Sequence, residues 1–258
     1  MKTLNWNTFF ILWVAAILAT AAVLPYAFEV QAKLIAQVPI PLPALIVLQI
    51  IQSGILFGVL IFIGLILAER IGLSTQILDL ITKGESVSDN LRAILPISIV
   101  LGVVVSLLII GLDFLFQPLL LQELGDTANA IKLATQPAAW KGFLASFYGG
   151  IGEEILLRLF MMSLLAWLGS FISKTSDGKS TNIVFWIANI LAAILFGFGH
   201  LPAMSALAPL TTLVVIRTVI LNAVGGIIFG WLYRTRGLES AMIAHFSADI
   251  VLHVLLVL

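Results

Sequence analysis

The 258-residue chain contains no cysteine. That excludes disulfides, thiolate metal ligands and a cysteine nucleophile. Charge is nearly as scarce: Asp, Glu, Lys and Arg make up 10% of the residues, where a soluble domain carries roughly 25%. Thirteen basic residues balance thirteen acidic ones, so no net charge draws the chain to nucleic acid. There is no internal repeat and no low-complexity segment, and none of the inverted repeats that many transporters carry. The zinc-protease helix His-Glu-x-x-His is absent as well. What fills the chain instead is apolar: 61% of residues are hydrophobic and the mean hydropathy is +1.15. These values identify an all-α, polytopic membrane protein, each span of which needs about 20 mostly apolar residues.

Apolar runs and their interruptions divide the chain. A first span is expected from Trp6 to Phe28; the run is long enough to cross and Tyr26-Ala27-Phe28 is a poor cleavage site, so it reads as a retained helix rather than a signal peptide. Alternating Pro39, Pro41 and Pro43 mark an extended loop. A second span runs from Pro43 to Ala68. The stretch Ile71 to Asn90 mixes Leu and Ile with Asp79, Lys83, Glu85 and Asp89, as an interfacial helix with a solvated charged face does. A third span is expected from Leu91 to Leu112, followed by a long, partly apolar loop over Asp113 to Pro137 that could gate access. The fourth span runs from Trp140 to Ile172, the fifth from Asn182 to Gly199, and the last from Ser240 to Leu258. The whole chain reads as a single transmembrane helical domain over 1–258, with 140–258 carrying the chemistry.

The chemistry starts at Gly149-Gly150-Ile151-Gly152-Glu153-Glu154-Ile155-Leu156-Leu157-Arg158. Three charges inside an apolar run each cost several kcal/mol unless paired or facing a polar cavity, and such residues are functional-site candidates. At about 100° per residue, Glu153 and Glu154 point in different directions. Glu154 and Arg158 are four apart with the acid first, the favourable order for a pair. Glu153 is left without a local partner and suits general-base work. The plainer reading is a structural three-charge cluster that locks helices together.

All three histidines, His200, His245 and His253, fall in or at the edge of apolar runs. A single one would be read as a hydrogen-bonded core residue; three of them beside Glu153, Glu154 and Asp249 suggest a buried polar site. His245 and Asp249 share one helix face, so the carboxylate can orient the imidazole. His253 continues that face one turn further and is placed outside the site. If Glu153, His200 and His245 are to meet while the last span starts beside them, the chain between Leu201 and Glu239 must cross twice, with a tight turn near Arg217 and Asn222. That gives about eight helices with both termini on one side. Lysines and arginines then divide seven against five, too even to set the orientation.

Glu-Glu-x-x-x-Arg at 153–158, Phe-x-x-x-His at 196–200 and His-x-x-x-Asp at 245–249 resemble, in order and in helix placement, the three motifs of the CAAX protease and bacteriocin-processing (CPBP, or Abi) family of intramembrane proteases. The resemblance covers residues 140–258; the first 139 match only as generic membrane helices. It implies that Glu153 and His200 activate a water, that His245 and residue 249 steady the oxyanion, and that Glu154 and Arg158 support the site. One departure concerns Asp249, where family members often carry Asn. Asn can donate a hydrogen bond to an oxyanion, whereas an ionised Asp cannot. Asp249 must therefore be protonated, or act by orienting His245.

The expected function is thus an intramembrane endopeptidase that cleaves near the membrane surface. Its substrate would be a membrane-associated peptide or lipidated protein, either CAAX-type prenylated or bacteriocin-like. No cofactor is expected, because Glu153 cannot readily be both ligand and base; the alternative is a zinc ion held by Glu153, His200 and His245. The competing classes are an ion- or proton-coupled transporter, since buried Glu, His and Asp also build proton relays, and an inactive scaffold or immunity protein of the same fold. The expected setting is the lipid bilayer of a prokaryotic plasma membrane, with no nucleic-acid partner.

Overall fold

A computed structural model of the protein describes residues 4–128 and 137–258. Its regular elements among those residues are all helices, and a single isolated β-bridge joins Lys174 and Ser180 in a turn. The elements are α1 (Trp6–Val30), the single turn α2 (Ala32–Ile35), α3 (Leu42–Ile71), α4 (Gln76–Lys83) and α5 (Ser88–Leu124). A continuous helix α6 over 139–170 comes next, then α7 (Asn182–Gly199), the short α8 (Leu201–Ser205), α9 (Thr212–Arg236) and α10 (Leu238–Leu255). The chain is an integral, multi-pass membrane protein: six helices, α1, α3, α5, α7 with its α8 continuation, α9 and α10, are long and apolar enough to cross a membrane among the described residues. α6, which is partly π-helical, adds one further pass of similar length.

Local signals set the ends of these helices. Asn5, Thr181 and Thr211 each accept a hydrogen bond from the amide three residues on, capping α1, α7 and α9. Pro43 sits in the first turn of α3, where its missing N–H costs nothing. Gly237, at φ 88°, makes the abrupt turn between α9 and α10 that a residue with a side chain would resist. The outward faces carry bare hydrocarbon: Ile55, Phe114 and Ile183 are all more than 60% exposed, a pattern that suits lipid rather than water.

Contacts at the two ends of the bundle give the direction of every pass. Glu29 at the end of α1 pairs with Lys141 at the start of α6, and Tyr26 lies beside His253 near the end of α10. At the opposite end, Asn5 bonds Thr82 of α4, Leu238 N–H bonds Ser74 O, and Arg234 bonds Asn182. The seven passes therefore alternate, and α1 starts at the end opposite to the one where α10 finishes.

This corrects two sequence expectations. Residues 206–233 do not cross twice: they form a short loop around Pro209 and then one uninterrupted helix, α9. The features read as a turn are accommodated within that helix. Asn222 donates to Thr218 O at 2.8 Å, and Arg217 pairs with Asp113. Against the approximate eight expected, the described residues form seven passes, and α1 begins on the side opposite the end of α10. Convergence of the site residues does not require α10 to start beside them. His245 lies seven residues into α10, about 10 Å from the far end, and Glu153 lies about 21 Å into α6 from the near end; together these span the roughly 30 Å hydrocarbon thickness. The third span also runs on, since α5 continues to Leu124. The gating expectation for 113–137 thus meets helix up to Leu124, and its remainder includes 129–136, outside the described residues.

The corrected path redistributes the basic residues. Arg70, Lys83, Arg92, Lys174, Lys179, Arg234 and Arg236 sit at the Asn5 end, against Lys33, Lys141 and Arg217 at the Glu29 end, among the described residues. By the positive-inside rule, seven against three predicts that the Asn5 end faces the cytoplasm. The absence of cysteine makes this directly measurable. A single cysteine introduced at Gln37 is expected to react with a membrane-impermeant maleimide in intact cells, and one at Asp177 only after the cells are opened. The reverse pattern would refute the assignment.

Candidate active site

The middle of α6 is not an ordinary α-helix. Tyr148–Glu153 and Ile155–Met162 are π-helical, with hydrogen bonds widened to i→i+5; such stretches are rare and frequent at functional sites. The first of them contains Gly149, Gly150 and Gly152. A Cβ at Gly149 would run into the Asp249 carboxylate and sit 3.2 Å from His245 Nε2. The missing side chain is what lets α10 lie against α6 at the level of the glutamates.

Glu154 is the most enclosed of the acids, with none of its surface exposed, and Arg158 is 1% exposed. Glu154 Oε2 lies 3.3 Å from Arg158 Nε. Its other oxygen accepts a 2.8 Å hydrogen bond from His245 Nδ1. Arg158 also donates to Gly226 O of α9 at 3.1 Å and lies over the rings of Phe196 and Phe229. One carboxylate thus links α6, α9 and α10.

Glu153 faces the other way, with its side chain 21% exposed, into a cavity of about 350 Å³. Its two oxygens lie 3.9 Å from His200 Nε2 and 3.6 Å from His245 Nε2. His200 caps the end of α7, and its Nδ1 lies 2.9 Å from Phe196 O. A carbonyl only accepts, so Nδ1 carries a hydrogen, and Nε2 of the neutral ring is left to accept on the side of Glu153. Asp249 Oδ1 lies 3.7 Å from His245 Nε2. The His245 ring is stacked on Phe229, with centroids 4.7 Å apart and planes 23° apart.

The six residues singled out in the sequence, Glu153, Glu154, Arg158, His200, His245 and Asp249, therefore come together from α6, α7 and α10. His253 stays one turn away, with Nδ1 3.3 Å from the Tyr26 hydroxyl, although it borders the same cavity. Phe229 and Tyr26 carry no signal in the sequence. Phe229 is one aromatic in a glycine-interrupted helix, and Tyr26 lies more than a hundred residues from any motif. As for a metal, no group of three His, Asp or Glu side chains is arranged to hold one among the described residues.

The buried pair gives a stability test. Arg158→Met leaves one oxygen of the enclosed Glu154 without its guanidinium partner and is expected to destabilise the protein by about 3–5 kcal/mol. Lys141→Met breaks the partly exposed Glu29 pair and should cost less than about 1 kcal/mol. Thermal unfolding in detergent compares the two, and equal shifts would contradict the role given to Glu154.

No curated protein and no solved structure matches the chain. A family model does: it is described as type II CAAX prenyl endopeptidase Rce1-like and covers residues 135–251. That segment reaches from α6 into α10 and holds the three motifs and all six residues of the cluster, and over it the chain is similar to the Rce1-like CAAX prenyl endopeptidases.

Proposed function

We propose that the protein is an intramembrane endopeptidase that hydrolyses a peptide bond through a water activated by Glu153 and His200. The observation that carries this reading is the position of Glu153 at the cavity wall, between the Nε2 atoms of two histidines. A water about 2.8 Å from both Glu153 Oε1 and His200 Nε2 donates one hydrogen to each and turns a lone pair toward the cavity. Glu153 takes a proton from that water as its oxygen attacks the scissile carbonyl. His245, charged and held by Glu154 through Nδ1, offers its Nε2–H to the oxyanion. Collapse of the tetrahedral intermediate breaks the C–N bond, and Glu153 returns the proton to the leaving amine. Asp249, in its protonated form, adds a second donor beside His245.

The family match supports a substrate at the membrane, a prenylated CAAX-type protein; a bacteriocin-like or otherwise lipidated peptide is the alternative. The proposed mechanism is metal-free, and the proposed setting is a prokaryotic plasma membrane. A transporter or an inactive scaffold of the same fold predicts no hydrolysis dependent on Glu153.

The test uses purified protein in liposomes with membrane-tethered fluorogenic peptides, prenylated and not. Glu153→Gln and His200→Ala are each expected to lower kcat by about 10²–10⁴-fold, with chelator leaving the wild-type rate unchanged. Asp249→Asn should keep the rate within about tenfold of wild type, because the amide can donate, whereas Asp249→Leu should fall well below that. Turnover by Glu153→Gln equal to wild type would refute the mechanism, and chelator sensitivity would refute its metal-free form.

A further inference from the structure

Attack by water is half of peptide hydrolysis. The C–N bond then breaks only as its nitrogen receives a proton, and a positioned side chain speeds that transfer. The cavity holds a group suited to it beyond the acids and histidines. Tyr148 lines the same cavity as Glu153. A largely buried tyrosine usually finds a hydrogen-bond partner, and the other two tyrosines of the chain have one, Tyr26 at His253 and Tyr233 at Ser163. The Tyr148 hydroxyl makes no hydrogen bond among the described residues, and it is not one of the enclosed polar atoms. It opens on the cavity.

The winding of α6 aligns this hydroxyl with the base. Tyr148 and Glu153 are the first and last residues of the first π-helical stretch. Five residues apart on an α-helix they would diverge by about 140°. A π turn closes i→i+5, so residue 153 comes round close to the direction of residue 148. Both side chains line one cavity, and the phenol lies within electrostatic reach of the Glu153 carboxylate. The ring is fixed from behind. It packs on Gly152, where a Cβ would come 3.0 Å from two ring carbons, and it meets Phe57 of α3 edge-on at 6.4 Å.

The glycines also show on which side Tyr148 stands. Gly149 meets Asp249 and His245 of α10, whereas Gly152 meets Tyr148 and Phe57. The oxyanion donors and the phenol therefore approach from different sides of α6. A carbonyl carbon turned tetrahedral directs its oxygen and its nitrogen apart. An intermediate whose oxyanion points to His245 presents its nitrogen away from α10, toward the side of Tyr148.

We infer that Tyr148 is a further catalytic residue, the acid that protonates the leaving nitrogen. This rests on the protease reading of Glu153. As the C–N bond breaks, its electron pair goes to the nitrogen, which takes the phenol proton. The phenol oxygen takes in turn the proton that Glu153 received from water. The amine leaves neutral, the carboxyl product forms, and Tyr148 and Glu153 end as they began. A phenol suits this relay because its hydroxyl both donates and accepts and keeps its proton at neutral pH.

The experiment compares two leaving groups in the liposome assay: a tethered peptide, and the same peptide with the scissile N–H replaced by sulfur. A thiol ionises near pH 8.5, so a thiolate departs without the proton that an amine requires, at about neutral pH. The chain has no cysteine, so a thiol reagent reads the released product directly. Tyr148→Phe keeps the ring and loses only the hydroxyl, and its thermal unfolding should match wild type. It is expected to lower kcat for the peptide by about 10²-fold or more, with KM within about twofold and the thioester kcat within about threefold of wild type. Glu153→Gln should slow both substrates. An undiminished peptide kcat in Tyr148→Phe, an effect confined to KM, or an equal loss on the thioester overturns the inference and leaves the protease reading standing. Failure of wild type to cleave one or other substrate faster than Glu153→Gln refutes the protease reading and the inference with it.

Discussion

Everything around the cluster stems from the cost of keeping charge in hydrocarbon. Glu154 has no access to solvent, so it must be neutralised from within the protein. It takes Arg158 on one oxygen and His245 on the other. Each partner is committed elsewhere too: Arg158 to a carbonyl of α9 and two aromatic faces, His245 to the ring of Phe229. Loss of a member leaves an uncompensated ion among apolar side chains. The arrangement fixes three helices against one another at the level where Glu153 faces the cavity, so an enclosed glutamate and a cavity-facing one are adjacent in sequence but opposite in surroundings.

That division was legible from the sequence, because adjacent helical residues diverge by about 100° and a four-residue spacing brings Glu154 to Arg158. The membrane class and most span boundaries were legible too, since hydropathy depends only on local composition; α7 begins and ends where its apolar run does. The path between Leu201 and Glu239 was not. Arg217, Asn222 and Gly225 look like interruptions when read in isolation, but Arg217 is paired by Asp113 of α5, while Asn222 and Gly225 are accommodated within α9 itself, by the Thr218 carbonyl one turn back and the Phe229 ring one turn on. Polar residues that converge in space also do not reveal from which side each helix arrives, because a site near mid-depth is reachable from both. Nor does any residue pattern announce the π-helical turns of α6.

The cavity joins these features. Its floor is built by the α6–α10 approach that Gly149 permits, its sides by α1, α5 and α9, and its lining runs from Glu153 at one end, past apolar walls, to the Arg217–Asp113 pair at the other.

The π-helical stretch has a consequence for register. A turn closed i→i+5 holds one residue more than an α turn, so two such stretches behave like residues inserted into an ordinary helix. Deleting a single residue between 148 and 153 would keep both glutamates, Arg158 and every histidine in the chain, and would relax the helix toward ordinary geometry. It would also rotate the N-terminal half of α6 by roughly 100° against the C-terminal half, taking Gly149 off the face that meets α10. The site is therefore encoded in a count of residues as much as in their identities, and a relative with every motif intact but one residue fewer here would have the ingredients of this cluster without its assembly.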